Sequence, residues 1–311
     1  MNLSVASSPH IRGTVHTRRL MLDVVLALLP ALVVGVWVMG LRALWIAALS
    51  IASAVTAQGL CDRLSGKESS WLDGSAVVTG LLFAMTLPVT IPVPVVICGS
   101  VFGAVAGKCL CGGLGRNPMN PALLGRAFVM LLFPAALTQY PLDGISSATP
   151  LHKMAMSALP ENSLTDLFLG AVPGSMGETS ALALLIGGGY LLVRKVISPR
   201  IPLSYLGTAA VLSLAFHRTD HAFLWMLSSL LSGGILLGAI FMATDYATAP
   251  VTPVGQILYG AGCGALTVFF RSFGLFPEGV TYAILGMNLL TWSLDRMTPP
   301  RQFGTGKGAK L

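Results

Sequence analysis

The sequence has few charged residues, and this shortage indicates its class. Charged side chains make up 10% of the 311 residues and hydrophobic ones 54%, whereas soluble proteins carry about 25% charged residues. A helix needs roughly 20 apolar residues to cross a bilayer, and apolar stretches close to that length recur along the chain. The formal charge of +7 does not indicate nucleic-acid binding, because the basic residues lie in short loops between apolar runs. We therefore expect a membrane protein.

Familiar catalytic and metal-binding patterns are also missing from the sequence. It has no P-loop, no G-x-G-x-x-G after a strand and no H-E-x-x-H, and its five histidines show no ligand spacing. Five cysteines, an odd number, give no disulfide framework. Cys109 and Cys111 form a C-x-C pair, but two thiols do not close a metal site. We predict no metal site and no catalytic residue of a complete enzyme in this chain.

The apolar runs predict an all-α polytopic membrane protein with about ten transmembrane helices. The predicted spans are 20–40, 43–60, 74–88, 93–107, 124–138, 180–193, 202–216, 222–242, 254–270 and 279–294. With the N-terminus in the cytoplasm, fifteen of the 19 lysines and arginines fall on the cytoplasmic side, as the positive-inside rule requires. We therefore expect cytoplasmic segments at both ends, residues 1–19 and 295–311.

Two pairs of similar segments predict an inverted repeat. Residues 79–93 resemble residues 237–251, and further on residues 117–128 resemble residues 276–286. The two copies would enter the membrane from opposite sides. We therefore expect two inverted repeats of five helices, residues 20–138 and 180–294. Such repeats typically place a binding site near the midplane, at helices interrupted by proline or glycine, and the prolines at positions 88, 92, 94, 250 and 253 fit such breaks. Chance likeness between two apolar, glycine-rich segments is the alternative.

Residues 139–179 interrupt the pattern of short connections. The charge pattern places this long loop outside the cytoplasm, and a loop of about forty residues is usually functional or disordered. We expect an ordered excursion along the membrane surface. It contains the run Asp143-Gly-Ile-Ser-Ser-Ala-Thr149-Pro150. Taken by itself, Thr149 before Pro150 predicts a helix N-cap, followed by a short helix from Leu151 to Leu159.

The same run has the pattern Asp-x-x-Ser-x-Ala-Thr and resembles the flavinylation motif, on which a transferase attaches FMN to threonine by a phosphoester bond. Nearly the whole chain resembles the D subunit of the Rnf electron-transport complex, which is related to the B subunit of the sodium-pumping NADH:quinone reductase. The other matching runs are Ser8–His10, Asp73–Ala76, Gly113–Pro121, Gly177–Ser180, Phe241–Asp245 and Pro277–Gly279.

The resemblance implies FMN bound covalently to Thr149, with Asp143, Ser146 and Ala148 completing the motif. It also implies a second, noncovalent flavin (riboflavin) between the helices of a subunit in the bacterial inner membrane. The implied activity is that of a ferredoxin:NAD oxidoreductase coupled to Na⁺ or H⁺ translocation. The implied partners are the other Rnf subunits, including a second flavin-bearing subunit, and a flavin transferase that works outside the cytoplasm. The charge pattern places Thr149 on that same side.

Four further residues are weaker candidates for cofactor binding. Glu178 precedes the sixth predicted span and Asp245 ends the eighth, and ionisable residues at membrane depth are often functional. Both lie near span ends, where interfacial or capping roles are equally expected. Asn117 and Asn120 either donate to a ligand or satisfy backbone groups at a re-entrant turn. The alternatives for the whole chain are a channel or secondary transporter for a small solute, which the inverted repeat alone would support, and an inert assembly scaffold.

Overall fold

The structure of the chain, a computed structural model, describes residues 16–66, 73–113, 115–137, 141–142, 145–146, 149–160, 163–170, 172–274 and 279–299. These residues are mostly helical. The α-helices are α1 (Thr17–Met39), α2 (Leu41–Leu64), α3 (Ser75–Met85), α4 (Val93–Ala104), α5 (Pro121–Leu132), α6 (Pro150–Ala155), α7 (Leu164–Leu169), α8 (Ala181–Val193), α9 (Arg200–Ala215), α10 (Ala222–Leu231), α11 (Ile235–Leu237), α12 (Pro253–Phe273) and α13 (Val280–Met297).

Shorter elements complete the described chain. Two π-helical turns continue α4 and α11, at Val105–Cys109 and Gly238–Met242, and two 3-10 turns cover Pro134–Leu137 and Met176–Glu178. Strands β1 (Pro141–Leu142) and β2 (Ile145–Ser146) pair antiparallel. This hairpin of two-residue strands lies in the long loop and is the only departure from the all-α prediction in the part of the chain that the structure describes.

The helices run between two opposite faces of the bundle. We call the face at which α1 begins the proximal face and the face at which α1 ends the distal face. The starts of α1, α3 and α5 and the end of α8 line one cavity on the proximal face. On the distal face, Arg42 at the start of α2 donates to the carbonyl of Thr90, between α3 and α4. Arg218, after α9, donates there to the carbonyl of Ser272 in α12.

The apolar helices give the chain the architecture of a polytopic membrane protein. By length and composition, α1, α2 and α12 can cross a membrane, and α10 with Ile235–Met242 forms a bent pair that could make a fourth span. Five further apolar helices have 10–17 residues and reach about 15–26 Å, less than the roughly 30 Å of a hydrocarbon core. On α1, Trp37 is 85% exposed and Val33 64%, as expected for side chains that face lipid. By length and composition, the described helices therefore include fewer than ten that are long enough to span the membrane.

The interruption inside a predicted span does not lie at the prolines. The prolines at 88 and 92 occupy the connection between α3 and α4, and Pro253 is the first residue of α12. The break instead separates α10 from α11 at residues 232–234, where the axis bends by 63°. Gly233 has a φ of 59°, and the Arg271 guanidinium donates to the carbonyls of Ser232 and Gly233. A glycine turn with an arginine partner, and not one of the prolines, therefore makes the break in this span.

Small residues bring the helices of the first half together. A Cβ on Gly80 of α3 would lie 2.7 Å from the Cα of Ile51 in α2, so only glycine fits there. The Ser50 hydroxyl in α2 donates to the carbonyl of Gly80, and the Ser100 hydroxyl in α4 donates to the carbonyl of Ser50. These buried hydrogen bonds tie α2, α3 and α4 into one unit.

Part of the long loop is buried rather than lying on the surface. Met176 and Thr179 are each 1% exposed. The Met176 N–H donates to the carbonyl of Leu87 beyond α3, and a Cβ on Gly35 of α1 would lie 3.2 Å from the Met176 carbonyl. The end of the loop therefore packs between α1 and the α3–α4 connection. The expected surface-lying excursion was wrong for this portion, because its small and apolar residues fill that gap.

Candidate functional site

A cavity on the proximal face brings together three of the predicted site residues. Asn117, Asn120 and Asp245 line it, and so does Lys108, which directly follows the predicted span 93–107. The rest of the wall is largely apolar and comes from α1, α3, the start of α5, the end of α8 with the residues after it, and the segment 241–246. We call this site the proximal cavity. A few polar groups in a largely apolar wall are typical of a site for a small organic ligand.

The two π-helical turns place the polar groups of the proximal cavity. The turn at Val105–Cys109 carries Lys108, which is 4% exposed. The turn at Gly238–Met242 carries Phe241 and leads directly to Asp245. A π-helical turn adds one residue to a turn of an α-helix, and such turns are frequent at functional sites. Each half of the chain therefore delivers one such turn to the same cavity.

Asn120 links the two halves of the chain at this cavity. Its side-chain oxygen accepts from the N–H groups of Ala122 and Leu123, as the N-cap of α5, with Pro121 as the first helical residue. Its amide nitrogen donates to the carbonyl of Met242 at 3.2 Å. The backbone-satisfying interpretation of Asn120 is therefore confirmed, while the side chain also lines the cavity.

Asn117 and Asp245 also make local hydrogen bonds. The Asn117 side-chain oxygen accepts from the Gly115 N–H at 3.2 Å, and Asn117 is 3% exposed. The Asp245 carboxylate accepts from the Ala247 N–H and from the Thr248 hydroxyl, each at 3.4 Å. Asp245 is half-buried. Its hydrogen bonds lie within a turn, since the next helix, α12, begins at Pro253 with Thr252 as its N-cap, and the Asp245 carboxylate also lines the cavity.

An ion pair that the sequence did not reveal holds two helices beside the proximal cavity. Asp23 of α1 lies 3.3 Å from Arg194 at the end of α8 and accepts a hydrogen bond from Tyr190 at 2.8 Å. Asp23 is 6% exposed. Both helices also contribute apolar side chains to the cavity wall. A lone aspartate in the first apolar run was the available signal, because such a residue needs a partner.

Thr149 lies on the distal face, in the long loop. It is the N-cap of α6, and its hydroxyl oxygen accepts from the His152 N–H at 3.2 Å, with Pro150 as the first helical residue. The predicted cap is confirmed, but the helix ends at Ala155 rather than at Leu159, because Ser157 takes a φ of 63°. Thr149 is 9% exposed.

The remaining motif residues are only partly described. The backbone of Ser146 lies in β2, and its side chain lies outside the described part of the chain. Asp143 and Ala148 lie outside the described residues altogether. The grouping of the flavinylation motif in space therefore stays a prediction.

Glu178 lies in a second cavity, away from Asn117, Asn120 and Asp245. Thr86 at the end of α3, Thr281 at the start of α13, Arg126 and Arg271 share this cavity with it. We call it the distal cavity. The Glu178 carboxylate also accepts from the Ser175 N–H at 3.5 Å in a capping box, so the capping role considered for it is present.

The distal cavity touches the helix that carries Thr149. Leu151 of α6 lines the cavity, and a Cβ on Gly233 would lie 2.6 Å from a methyl group of Leu151. Leu151 therefore packs on the break between α10 and α11. The structure thus separates those predicted site residues that it describes into two groups, one at each face.

Comparison with known proteins matches nearly the whole chain. The model of the NQR2, RnfD, RnfE family matches residues 4–304. The D subunit of the sodium-translocating ferredoxin:NAD(+) oxidoreductase complex of Acetobacterium woodii is 44% identical, over 99% of this chain and 97% of the relative. The D subunit of the proton-translocating ferredoxin:NAD(+) oxidoreductase complex of Clostridium ljungdahlii is 39% identical, over 97% and 96%. The D subunit of the ion-translocating oxidoreductase complex of Stutzerimonas stutzeri is 37% identical, over 96% and 95%. The chain therefore belongs to the NQR2, RnfD, RnfE family.

Proposed function

We propose that this protein is the D-type membrane subunit of an Rnf-type, ion-translocating ferredoxin:NAD oxidoreductase complex, and that it carries electrons on flavin. The observation that carries the proposal is the end-to-end match to three relatives, each named as the D subunit of an ion-translocating oxidoreductase complex. The chain acts as one subunit of that enzyme, with the other subunits as partners, among them a second flavin-bearing one. Relatives named for sodium and for protons are both close, so the proposal leaves the coupling ion open.

The first flavin in this proposal is FMN, joined to Thr149 through its phosphate by a flavin transferase. The motif Asp143, Ser146, Ala148 and Thr149 supports this assignment. The position of Thr149 in the distal loop, next to the distal cavity, also supports it. A flavin supplies the redox chemistry, and the chain supplies its position and its electrostatic surroundings. Since Thr149 is 9% exposed, attachment requires α6 to be undocked, and we place it before the loop packs.

The second flavin is riboflavin, bound without a covalent bond in the proximal cavity. The residues present fit this group. Lys108 and the amides of Asn117 and Asn120 can donate to the carbonyl-bearing edge of a flavin ring, and Phe241 and the aliphatic side chains of α3 offer an apolar surface to its hydrocarbon edge. Asp245 can accept from a ring N–H. These four polar residues would hold and orient the ring, while α1 and α8 limit water access.

The path of the chain supports two inverted repeats of five passes. Taking α10 and α11 as one bent segment, α1–α5 and α8–α13 alternate between the two faces, in opposite order in the two halves. Equivalent helices pack together in each half. The contact between α2 and α4 corresponds to that between α9 and α12, and the contact between α4 and α5 corresponds to that between α12 and α13. The pairs α1–α8 and α5–α13 join the halves, as expected for helices next to a shared axis.

The charge pattern assigns the two faces to compartments. The proximal face carries both ends of the described chain and most of the basic loops, so we place it in the cytoplasm of a bacterial inner-membrane protein. The distal face, with α6 and residues 139–179, then lies outside the cytoplasm. A flavin transferase acting there can reach Thr149 during assembly.

A denaturing gel viewed under ultraviolet light tests the covalent flavin. The full chain, produced in a host that contains the transferase, gives a fluorescent band, and Thr149→Val gives a dark one. Thr165→Val is the matched control, because Thr165 is an exposed threonine in the same loop, and its band stays fluorescent. Mass spectrometry locates the added FMN on the peptide that contains Thr149. A dark wild-type band would contradict the proposal and favour a channel or transporter built on the inverted repeat.

An impermeant thiol reagent tests the sidedness independently. In a cysteine-free background, Met156→Cys places a thiol just after α6, where the native side chain is 69% exposed, and Leu64→Cys places one at the proximal end of α2, where it is 83% exposed. On intact spheroplasts the first variant is labelled and the second is protected until the membrane is opened. The reverse pattern would remove Thr149 from the reach of an external transferase.

A further inference from the structure

Lys108 is a buried ammonium group that the covalent flavin site does not use. It lies in the π-helical turn after α4 and is 4% exposed. Its Nζ donates to the side-chain oxygen of Gln58 in α2 at 3.4 Å. A charged lysine is costly to bury in a membrane protein and is usually retained for function.

Among the residues that the structure describes, no carboxylate forms an ion pair with Lys108. Its described hydrogen-bond acceptor, Gln58, is neutral. Asp73 and Asp245 supply the strongest attractive charges that act on the ammonium group, and Asp245 lines the proximal cavity with it. Burial is the larger effect and disfavours the charged form of Lys108, and the two carboxylates partly offset it. Because the amide of Gln58 is neutral, it does not cancel the charge of the ammonium group.

Lys108 is the one basic side chain among the described residues that line the proximal cavity. We propose that Lys108 raises the reduction potential of the flavin in this cavity by placing a positive charge beside its ring, so that it is the residue that tunes electron transfer at the proximal face. This inference rests on the proposed noncovalent flavin.

Two electrons and one proton convert the oxidised ring to a reduced ring with one negative charge. The electrons come from a reduced carrier of the complex and the proton from solvent. A nearby ammonium group stabilises that negative charge and not the neutral oxidised ring.

The charge effect has a size that can be measured. At a separation of several ångströms in partly screened surroundings, one unit charge changes the ratio of reduced to oxidised affinity by about ten- to a hundredfold. For a two-electron couple this corresponds to about 30–60 mV. Lys108→Met, which removes the charge and keeps an unbranched apolar chain, therefore lowers the potential by that amount. Lys108→Arg keeps the charge and stays close to the wild-type value.

The experiment is a spectroelectrochemical titration of the purified full chain in detergent, in a Thr149→Val background that removes the covalent FMN signal. Acid extraction first gives the content of noncovalent flavin in each variant. Arg63→Met is the matched control, because Arg63 is an exposed basic residue at the proximal end of α2 and does not line the cavity. Its potential equals that of the background.

A second perturbation leaves Lys108 in place. Gln58→Glu puts a carboxylate next to the ammonium group and neutralises its charge, so the potential falls as it does in Lys108→Met. If Lys108→Met loses its flavin, the reduction potential of Gln58→Glu tests the role of the Lys108 charge instead. A flavin content equal to the background, with an unchanged potential in both variants, would overturn the role of Lys108 and leave the cavity assignment intact. The absence of extractable flavin from the Thr149→Val background itself would instead overturn the cavity assignment, and the inference with it.

Discussion

The ion pair between Asp23 and Arg194 makes a prediction about how the two halves are held together. Asp23 lies in α1 and Arg194 follows α8, and these two helices join the halves of the chain. The Asp23 carboxylate lies 3.3 Å from the Arg194 guanidinium and also accepts from the Tyr190 hydroxyl. The Asp23 side chain is 9% exposed and the Arg194 side chain 39%. Arg194→Gln therefore removes the charge that offsets a nearly buried carboxylate.

The size of the effect follows from this unequal exposure. Removing one partner of a fully buried ion pair costs about 3–5 kcal/mol, whereas an exposed pair contributes about 0–1 kcal/mol. Arg194 is partly screened by solvent, and Tyr190 still donates to Asp23 in the variant. We therefore expect Arg194→Gln to lower the free energy of unfolding by about 1–2 kcal/mol. Asp23→Asn keeps an acceptor for Tyr190 and costs about 1 kcal/mol.

Thermal unfolding of the detergent-solubilised chain, followed by circular dichroism, measures these changes. The wild type, the two single variants and the double variant form a cycle, and we expect a coupling energy of about 0.5–1.5 kcal/mol between the two positions. Lys195→Gln is the control, since Lys195 is exposed and adjacent in sequence, and it changes stability by less than about 0.5 kcal/mol. Two single effects that simply add would show that α1 and α8 are held by apolar packing alone, and the reasoning would be refuted.

Two further substitutions probe helix contacts in the same thermal assay. Gly80→Ala pushes a methyl group against the backbone of Ile51, 2.7 Å away, and costs about 1–3 kcal/mol. Gly59→Ala meets no atom within 4 Å and is neutral or stabilising by up to about 1 kcal/mol; equal losses in both would contradict the close contact. Asn120→Ala removes the cap of α5, which lowers the free energy of unfolding by about 1 kcal/mol. It also removes the donor to the Met242 carbonyl, which lowers it by about 1–3 kcal/mol more. Asn120→Ser keeps the cap and loses less, and a variant as unstable as Asn120→Ala would show that the cap contributes little.

The positions of the helices could be predicted from the sequence, but their ends could not. The predicted span 180–193 corresponds closely to α8, and 20–40 to α1, because long apolar runs have one dominant solution in lipid. The span predicted at 124–138 is α5 at Pro121–Leu132. The start was misplaced because Asn120 and Pro121 form an N-cap and first turn, and the end because Pro134 stops the helix. These signals were present and were outweighed by hydropathy.

The contacts of the candidate site could be predicted only in part. Asn117, Asn120 and Asp245 were found as polar residues in the matching motifs, without any indication that they meet. The partner of Asn120 is the carbonyl of Met242, 122 residues away, and nothing local in the sequence points to it. Lys108 was assigned to the loop after the predicted span 93–107, because the apolar run ends there. The π-helical turn extends α4 to Cys109 and brings the lysine inside.

The inverted repeat that we propose would account for a cavity at each face of the described chain. The segment similarity pairs Thr86, at the end of α3, with Thr244, beyond the turn that continues α11. Thr86 meets the start of α13 in the distal cavity, and Thr244 meets the start of α5 in the proximal cavity. An axis that exchanges the halves also exchanges these two meeting points. The proposed flavins thus occupy equivalent places on opposite faces, one tethered beside its cavity and one enclosed within it. The difference between them lies in the side chains: Lys108 and Asp245 lie on one side, and Glu178 with two arginines on the other.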